Sequence, residues 1–258
     1  MIQSGVVPVD QLWRSVRREA ESAVARDPIF GASLSTAILD HPDLASALSH
    51  QIGERLGKSP ADRRQLAQIA REAFAGSPEL IDAASLDLQS IVRDPATTAL
   101  LPPLLNFKGY VALQAWRVAN RLWRRRRNDL ALLLQSLSSD QLSVSIHPTA
   151  SIGTSVFLDH ATGIIIGAFA VIGDEVTILQ NVTIGRKHSE PDRAPKIGRG
   201  VYLSAGSTII GSVSIGDFAK VGAGALVEHD VPPGCTAVGV PARLTNCPES
   251  KVSAQPVG

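Results

Sequence analysis

The stretch IIIGAFAVIGDEVTILQNVTIG, residues 164–185, decides the fold, because its aliphatic side chains return at every sixth position. Ile166, Ile172, Ile178 and Ile184 mark the period, and glycine follows three of them. Upstream, Ile146, Ile152 and Leu158 keep the same spacing before an eight-residue step to Ile166. Downstream, after a thirteen-residue gap, Ile197, Leu203, Ile209, Ile215, Val221 and Val227 restore it. The fourth place after the aliphatic is usually small or branched, as at Ala170, Val176, Val182, Val201, Val213, Ala219 and Ala225. Neither a helical period of 3.6 nor a strand period of 2 explains this spacing, whereas a hexapeptide repeat does. Each hexapeptide supplies one short flat strand and a turn, and three of them close one triangular coil. The aliphatic residue points into the prism and stacks on its counterpart in the next coil. Residues 143–246 are therefore expected to form a left-handed parallel β-helix of a little over four coils. The gap from Ile184 to Ile197 is taken as two rungs plus an insertion. GRKHSEPDRAP, charged and carrying two prolines, leaves the prism as a loop over 185–196.

Residues 1–142 carry a different period and read as an all-helical N-terminal domain, giving an α+β chain. Leu44, Leu48, Ile52 and Leu56 recur at four-residue spacing and share one helix face. PADRRQLAQIAREAFAG starts at Pro60 and closes at Gly76, the order in which helices favour these two residues. KGYVALQAWRVANRLWRRRRNDLALLLQSL reads as one long helix or two in succession. The run Arg124–Arg127 within it reads as a solvated helix face or a subunit contact, since consecutive residues point around a helix and make no single stripe. The tail, residues 247–258, is polar and contains proline, and is expected to be disordered.

Charge is nearly balanced, with 25 basic against 24 acidic side chains. That leaves no general attraction for nucleic acid or an anionic membrane. The aromatic share of 4% also argues against base-stacking surfaces. The N-terminus lacks a basic segment followed by an apolar core, and no run approaches the length of a membrane span, so a cytoplasmic protein is expected. Cys235 and Cys247, without neighbouring histidines, read as two reduced structural thiols.

In both halves the chain resembles the serine O-acetyltransferases, which make O-acetylserine from serine and acetyl-CoA. LDHATGIIIG at 158–167, ILQNVTIG at 178–185 and GVPARL at 239–244 look like motifs of that family's β-helix. IVRDPA at 91–96 and FKGYVALQAWR at 107–117 look like its helical domain, which other hexapeptide acyltransferases lack. The resemblance implies His160 as the catalytic base, a role that suits an imidazole titrating near working pH. It implies Asp159 and Asp94 as carboxylates holding the substrate's ammonium and hydroxyl groups, and Arg193 as the planar fork for its carboxylate. Around coenzyme A it suggests Gly185, Ala205, Lys220 and Ala223, with Arg243 near the pyrophosphate. Acetyl-CoA as a substrate, no metal, and a homo-oligomer (a trimer or a dimer of trimers, with sites between neighbouring prisms) follow from the same resemblance. So does a place in cysteine biosynthesis.

Three departures fall at the acceptor end of the site. The family's Asp-Ile-His-Pro reads Ser145-Ile146-His147-Pro148, so serine stands where an aspartate would orient the catalytic imidazole and stabilise its cation. The family's Arg-His-Pro-Lys reads Arg193-Ala194-Pro195-Lys196, and alanine has no polar atom for the substrate carboxylate; His188 is a candidate replacement. The glycine-rich loop is replaced by Gly185-Arg186-Lys187-His188-Ser189, where Arg186 and Lys187 could favour a phosphate. The chain closes on Val257-Gly258 where relatives dock a terminal isoleucine into the cysteine-forming enzyme, so docking of that partner is not expected. Two further readings stand beside serine acetylation. One is transfer to another small hydroxy amino acid such as homoserine. The other is a catalytically impaired, coenzyme A-binding or regulatory homologue. A zinc hydratase on the same fold would need three convergent histidines, which the six in this chain do not offer.

Overall fold

The computed structural model describes residues 6–187 and 193–248. Eight α-helices make the N-terminal half: α1 (Val9–Arg26), α2 (Gly31–Leu34), α3 (Leu44–Leu56), α4 (Pro60–Ala75), α5 (Glu79–Ile91), α6 (Leu101–Asn106), α7 (Lys108–Arg124) and α8 (Asn128–Leu142). The four-residue series predicted on one face lies in α3, and Leu44, Leu48, Ile52 and Leu56 are all buried. α4 starts with a reciprocal cap: Asp62 N–H donates to Ser59 Oγ, and Ser59 N–H donates to the Asp62 carboxylate. Two otherwise unpaired helix-start donors are thereby satisfied. Ser59→Ala is expected to lower stability by about 1 kcal/mol, read from a denaturant midpoint.

The long segment after Phe107 forms two helices, and the arginine run is the joint between them. Arg124 ends α7, Arg126 takes a positive φ of 59°, and Arg127 precedes α8. All four arginines are exposed, and only Arg124 lies within a helix.

The C-terminal half is a parallel β-solenoid whose strands fall into three sheets. The first contains β1 (Val144–Ile146), β4 (Ile164–Ile166), β7 (Thr183–Gly185), β10 (Thr208–Ile210) and β13 (Leu226–Val227). The second holds β2 (Ser151–Ile152), β5 (Val171–Ile172), β8 (Lys196–Ile197) and β11 (Ser214–Ile215). The third consists of β3 (Phe157–Leu158), β6 (Thr177–Ile178), β9 (Tyr202–Leu203), β12 (Lys220–Val221), β14 (Thr236–Val238) and β15 (Arg243–Thr245). Register stacks the predicted rungs on one another. Ile146, Ile166, Ile184, Ile209 and Val227 form one column. Ile152, Ile172, Ile197 and Ile215 form the second, and Leu158, Ile178, Leu203 and Val221 the third. All are buried, so the six-residue period is the period of the core.

The structure also extends the rung series and corrects two expectations. Ile184 lies in the first sheet and Ile197 in the second, so the gap between them is a single rung step with a seven-residue insertion, not two rungs. The solenoid runs on past Val227, because Val231 bridges to Ile215 and Ala237 pairs with Val221. Cys235 and Cys247 are joined in a disulfide, where two reduced thiols were expected. β15 folds back antiparallel along β14 and brings the two Cα atoms to 4.1 Å, a proximity that a twelve-residue spacing does not reveal.

The two halves are locked by a buried polar junction. Arg117 of α7 pairs with Asp87 of α5 at 2.7 Å and also donates to Gly153 O of the first coil. Gln114 Nε2 and the Val156 backbone N–H donate to the same carboxylate. Beside it, Trp116 Nε1 donates to His147 O, and Asn120 Nδ2 donates to Pro148 O and Ala150 O. Burial pushes the Asp87 carboxyl above its ordinary value, and Arg117, Gln114 and the Val156 N–H act in the opposite direction.

Candidate active site

The eight-residue step from Leu158 to Ile166 is where the solenoid departs from its own rule, and the departure is the turn that carries His160. Between β3 and β4 the chain spends two extra residues. His160 and Ala161 both adopt left-handed backbone conformations, with φ of 53° and 60°. The turn is fastened by Ala161 N–H to Asp159 O, Thr162 N–H to His160 O, and Gly163 N–H to Ser143 O of the chain entering β1. The turn thereby presents the imidazole outward, with the side chain 74% exposed. His160 Nε2 lies 3.8 Å from Asp159 Oδ1, close enough for an ion pair but too long for a hydrogen bond.

Asp159 faces a groove of about 420 Å³ between the third sheet and the segment that follows α5. Asp94 lies across that groove, together with Ser90, Arg93 and Pro95. The Asp94 carboxylate accepts the Ala96 N–H at 2.8 Å, and its backbone oxygen accepts the Thr97 N–H. These bonds fix the turn after α5 and hold the carboxylate toward the third sheet. Further along, Phe157, Thr177, Tyr202 and Phe218 line the floor, and Glu175 stands at the edge paired with Arg199 at 2.7 Å. The sequence reading missed these lining residues, since aromatic and threonine positions on the outside of a solenoid carry no periodic mark.

A continuous edge leads away from the His160 turn. The corner between the third and first sheets repeats in each coil, and the corners are laced together by hydrogen bonds. Asn181 N–H donates to Thr162 O, Gly206 N–H to Gln180 O, and Gly224 N–H to Ala205 O. Ala205 and Ala223 thus lie on the same edge as His160, two and three coils away. At one strand spacing per coil, Ala223 is about 14 Å from the histidine turn. Lys220 projects from β12 beside this edge, in register with Tyr202, and is exposed. Arg243 is exposed on β15 beyond it.

The remaining predicted residues lie elsewhere on the chain. Ser145 sits in β1, where its hydroxyl receives a hydrogen bond from Gln135 Nε2 of α8 at 3.2 Å. Arg193 is exposed where the described chain resumes ahead of β8, on the side of the second sheet, and it does not line the groove. Gly185 ends β7 in the first sheet; a methyl group there would make only ordinary contact, 3.5 Å from Ile210 Cδ1, so packing within the chain does not require glycine. Lys187 pairs with Glu228 at 3.0 Å, and Arg186 lies over the Phe169 ring, so both charges read as a phosphate feature are already engaged. His188, the candidate replacement for the missing histidine, falls outside the described residues. Among the described residues, no three His, Cys, Asp or Glu side chains gather as a metal ion would require.

Comparison with known proteins places this geometry. Residues 12–115 match the family described as serine acetyltransferase, N-terminal, and residues 194–229 match the bacterial transferase hexapeptide family. A serine acetyltransferase of Salmonella typhimurium is 41% identical over 249 residues, covering 95% of this chain and 91% of that protein. The chain belongs to the serine acetyltransferase family. A solved serine acetyltransferase in complex with coenzyme A superposes with a TM-score of 0.89 at 38% identity, over 92% of this chain and 100% of that one. Soybean serine acetyltransferase complexed with serine gives 0.87 at 44% identity, over 91% and 97%. Family membership covers both halves, so the helical half and the histidine turn belong to one inherited unit. No helix among the described residues is long and apolar enough to cross a membrane.

Proposed function

We propose that this chain transfers the acetyl group of acetyl-CoA to the hydroxyl of L-serine, with His160 as general base. The observation that carries this reading is that Asp94 and Asp159 line one groove while His160, the next residue after Asp159, lies 3.8 Å from the Asp159 carboxylate at the start of the laced edge toward Ala205 and Ala223. A serine hydroxyl is too weak an acid to attack a thioester at neutral pH unless a base takes its proton in the transition state. His160 takes that proton, the serine oxygen adds to the thioester carbonyl, and collapse of the adduct expels the coenzyme A thiolate, which receives the proton. Asp159 and Asp94 hold the ammonium group and orient the hydroxyl. Coenzyme A lies along the laced edge past Ala205 and Ala223, whose small side chains leave the edge open. Lys220 and Arg243 supply positive charge toward its phosphates, and Gly185 allows close approach from the first sheet.

Arg193, as the partner of the substrate carboxylate, is not among the residues that line the groove of its own chain. The resemblance implies a homo-oligomer with sites between neighbouring prisms, in which a second copy brings Arg193 and the Gly185 side of its prism to this His160. A fully active single chain would exclude that arrangement. Coenzyme A release, compared by kcat/KM across L-serine, L-homoserine and other small hydroxy amino acids, tests the acceptor. L-serine is expected to lead, and a wide margin for homoserine would transfer the assignment to it.

The serine at 145 gives a second expectation. With Gln135 Nε2 already donating to position 145, a carboxylate there keeps that donor and restores the charge that the family resemblance assigns to the imidazole's partner. Ser145→Asp is expected to raise kcat roughly tenfold with little change in KM, by stabilising the imidazolium that forms in the transition state. An unchanged kcat would show that this enzyme's base works without a carboxylate at that position.

A further inference from the structure

The turn that carries His160 is held from outside the solenoid by the first turn of α7. Gly109 packs directly on it: a methyl group at this position would collide with the Leu158 carbonyl oxygen and lie 2.9 Å from Ala161 Cβ and from Leu158 Cβ. The neighbouring residue, Lys108, donates from Nζ to Thr162 Oγ1 at 2.5 Å. Thr162 is also a backbone anchor of the turn, because its N–H donates to His160 O and its carbonyl receives the Asn181 N–H from the next coil. Two consecutive non-glycine residues, His160 and Ala161, take positive φ in this turn. Such backbone persists only where its surroundings fix it. Here the fixing groups come partly from the helical domain, and α7 is itself tied to the first coil through Arg117, Trp116 and Asn120.

We propose that Lys108 and Gly109 are positioning residues for the His160 base, through which the helical domain sets the reach of the imidazole toward the acceptor hydroxyl. This inference rests on the assignment of His160 as base. Neither residue touches the groove; both act through the turn. Glycine at 109 lets the helix approach the Leu158 carbonyl, and the Lys108–Thr162 hydrogen bond stops the turn from rotating away from it.

The test compares steady-state kinetics and thermal midpoints of five variants with the parent, and of His160→Ala as reference. Lys108→Met and Thr162→Val are each expected to lower kcat roughly tenfold with KM for both substrates and the midpoint nearly unchanged, since a small misplacement of a base costs turnover before binding. Lys108→Arg and Thr162→Ser, which keep a donor and an acceptor, are expected to recover most of the loss. Gly109→Ala, which must displace the turn itself, is expected to lower kcat roughly 100-fold. A general structural role would instead move the midpoint and kcat together and would not separate kcat from KM. The inference is overturned if His160→Ala is inactive while Lys108→Met and Thr162→Val turn over like the parent, or lose activity only in step with the midpoint. A His160→Ala protein that keeps full turnover removes the base assignment first and this inference with it.

Discussion

His160→Ala is expected to lower the rate of serine-dependent coenzyme A release by about 10²- to 10⁴-fold, the range that a positioned general base contributes. The imidazole is mostly exposed and, among the described residues, makes no hydrogen bond that its removal would orphan. Stability should therefore stay near that of the parent, and circular dichroism and the thermal midpoint provide the check. KM for acetyl-CoA should change little, because the proposed coenzyme path runs along the edge past Ala205 and Ala223, away from this side chain. Retained turnover in a well-folded His160→Ala protein would sink the mechanism.

The second large effect is expected at the junction between the halves. Arg117→Met should destabilise the protein by about 3–5 kcal/mol, because it leaves the fully buried Asp87 carboxyl without its counter-charge. The loss should depend on pH in a defined direction. Burial already holds the Asp87 carboxyl above its ordinary value, and removing Arg117 takes away the main opposing influence. A group whose folded value is raised contributes no penalty below its unfolded value, and the penalty grows as pH rises through the folded value. The deficit of Arg117→Met against the parent should thus be smallest near pH 4 and widen as pH rises toward neutrality, read from denaturant midpoints. A deficit constant across that range would mean that lost packing, not the orphaned carboxylate, dominates.

Much of this fold is legible in the sequence, and the boundary of what is legible has a physical reason. Rungs such as Ile172 and Ile178 were visible because a solenoid core repeats one environment, and repetition in space becomes repetition in sequence. α3 was visible for the same reason at a different period. Val231 and Ala237 were missed because the last coil is short, and a four-residue step breaks the count. The size of the 185–196 excursion was misjudged because register, which fixes the sheet to which Ile197 belongs, is set by pairing and not by spacing.

At the site, the candidates Asp94 and Asp159 line one groove, and Arg193 is not among its lining residues. That separation could not be read from the order of residues. The supporting groups were invisible for another reason. Asp87, Arg117, Lys108 and Gly109 act through partners 30 or more residues away, as Arg117 and Asp87 do, and no local pattern marks such a pair. The eight-residue step, by contrast, was visible as a break in the period, and its turn is the one that carries His160.

A parallel strand left open at the end of a solenoid is a growth face, able to recruit the next chain as it recruited its own last coil. In the third sheet, β15 runs antiparallel against β14 and so occupies that face with a strand of the wrong direction for propagation. At the other end the first coil meets α7 and α8 rather than another strand. The solenoid is therefore bounded in length by its own chain at these two faces, and association is steered toward its flanks. End-to-end stacking into fibres, the hazard inherent in repeating one coil, is closed off there by the reversal of a single three-residue strand.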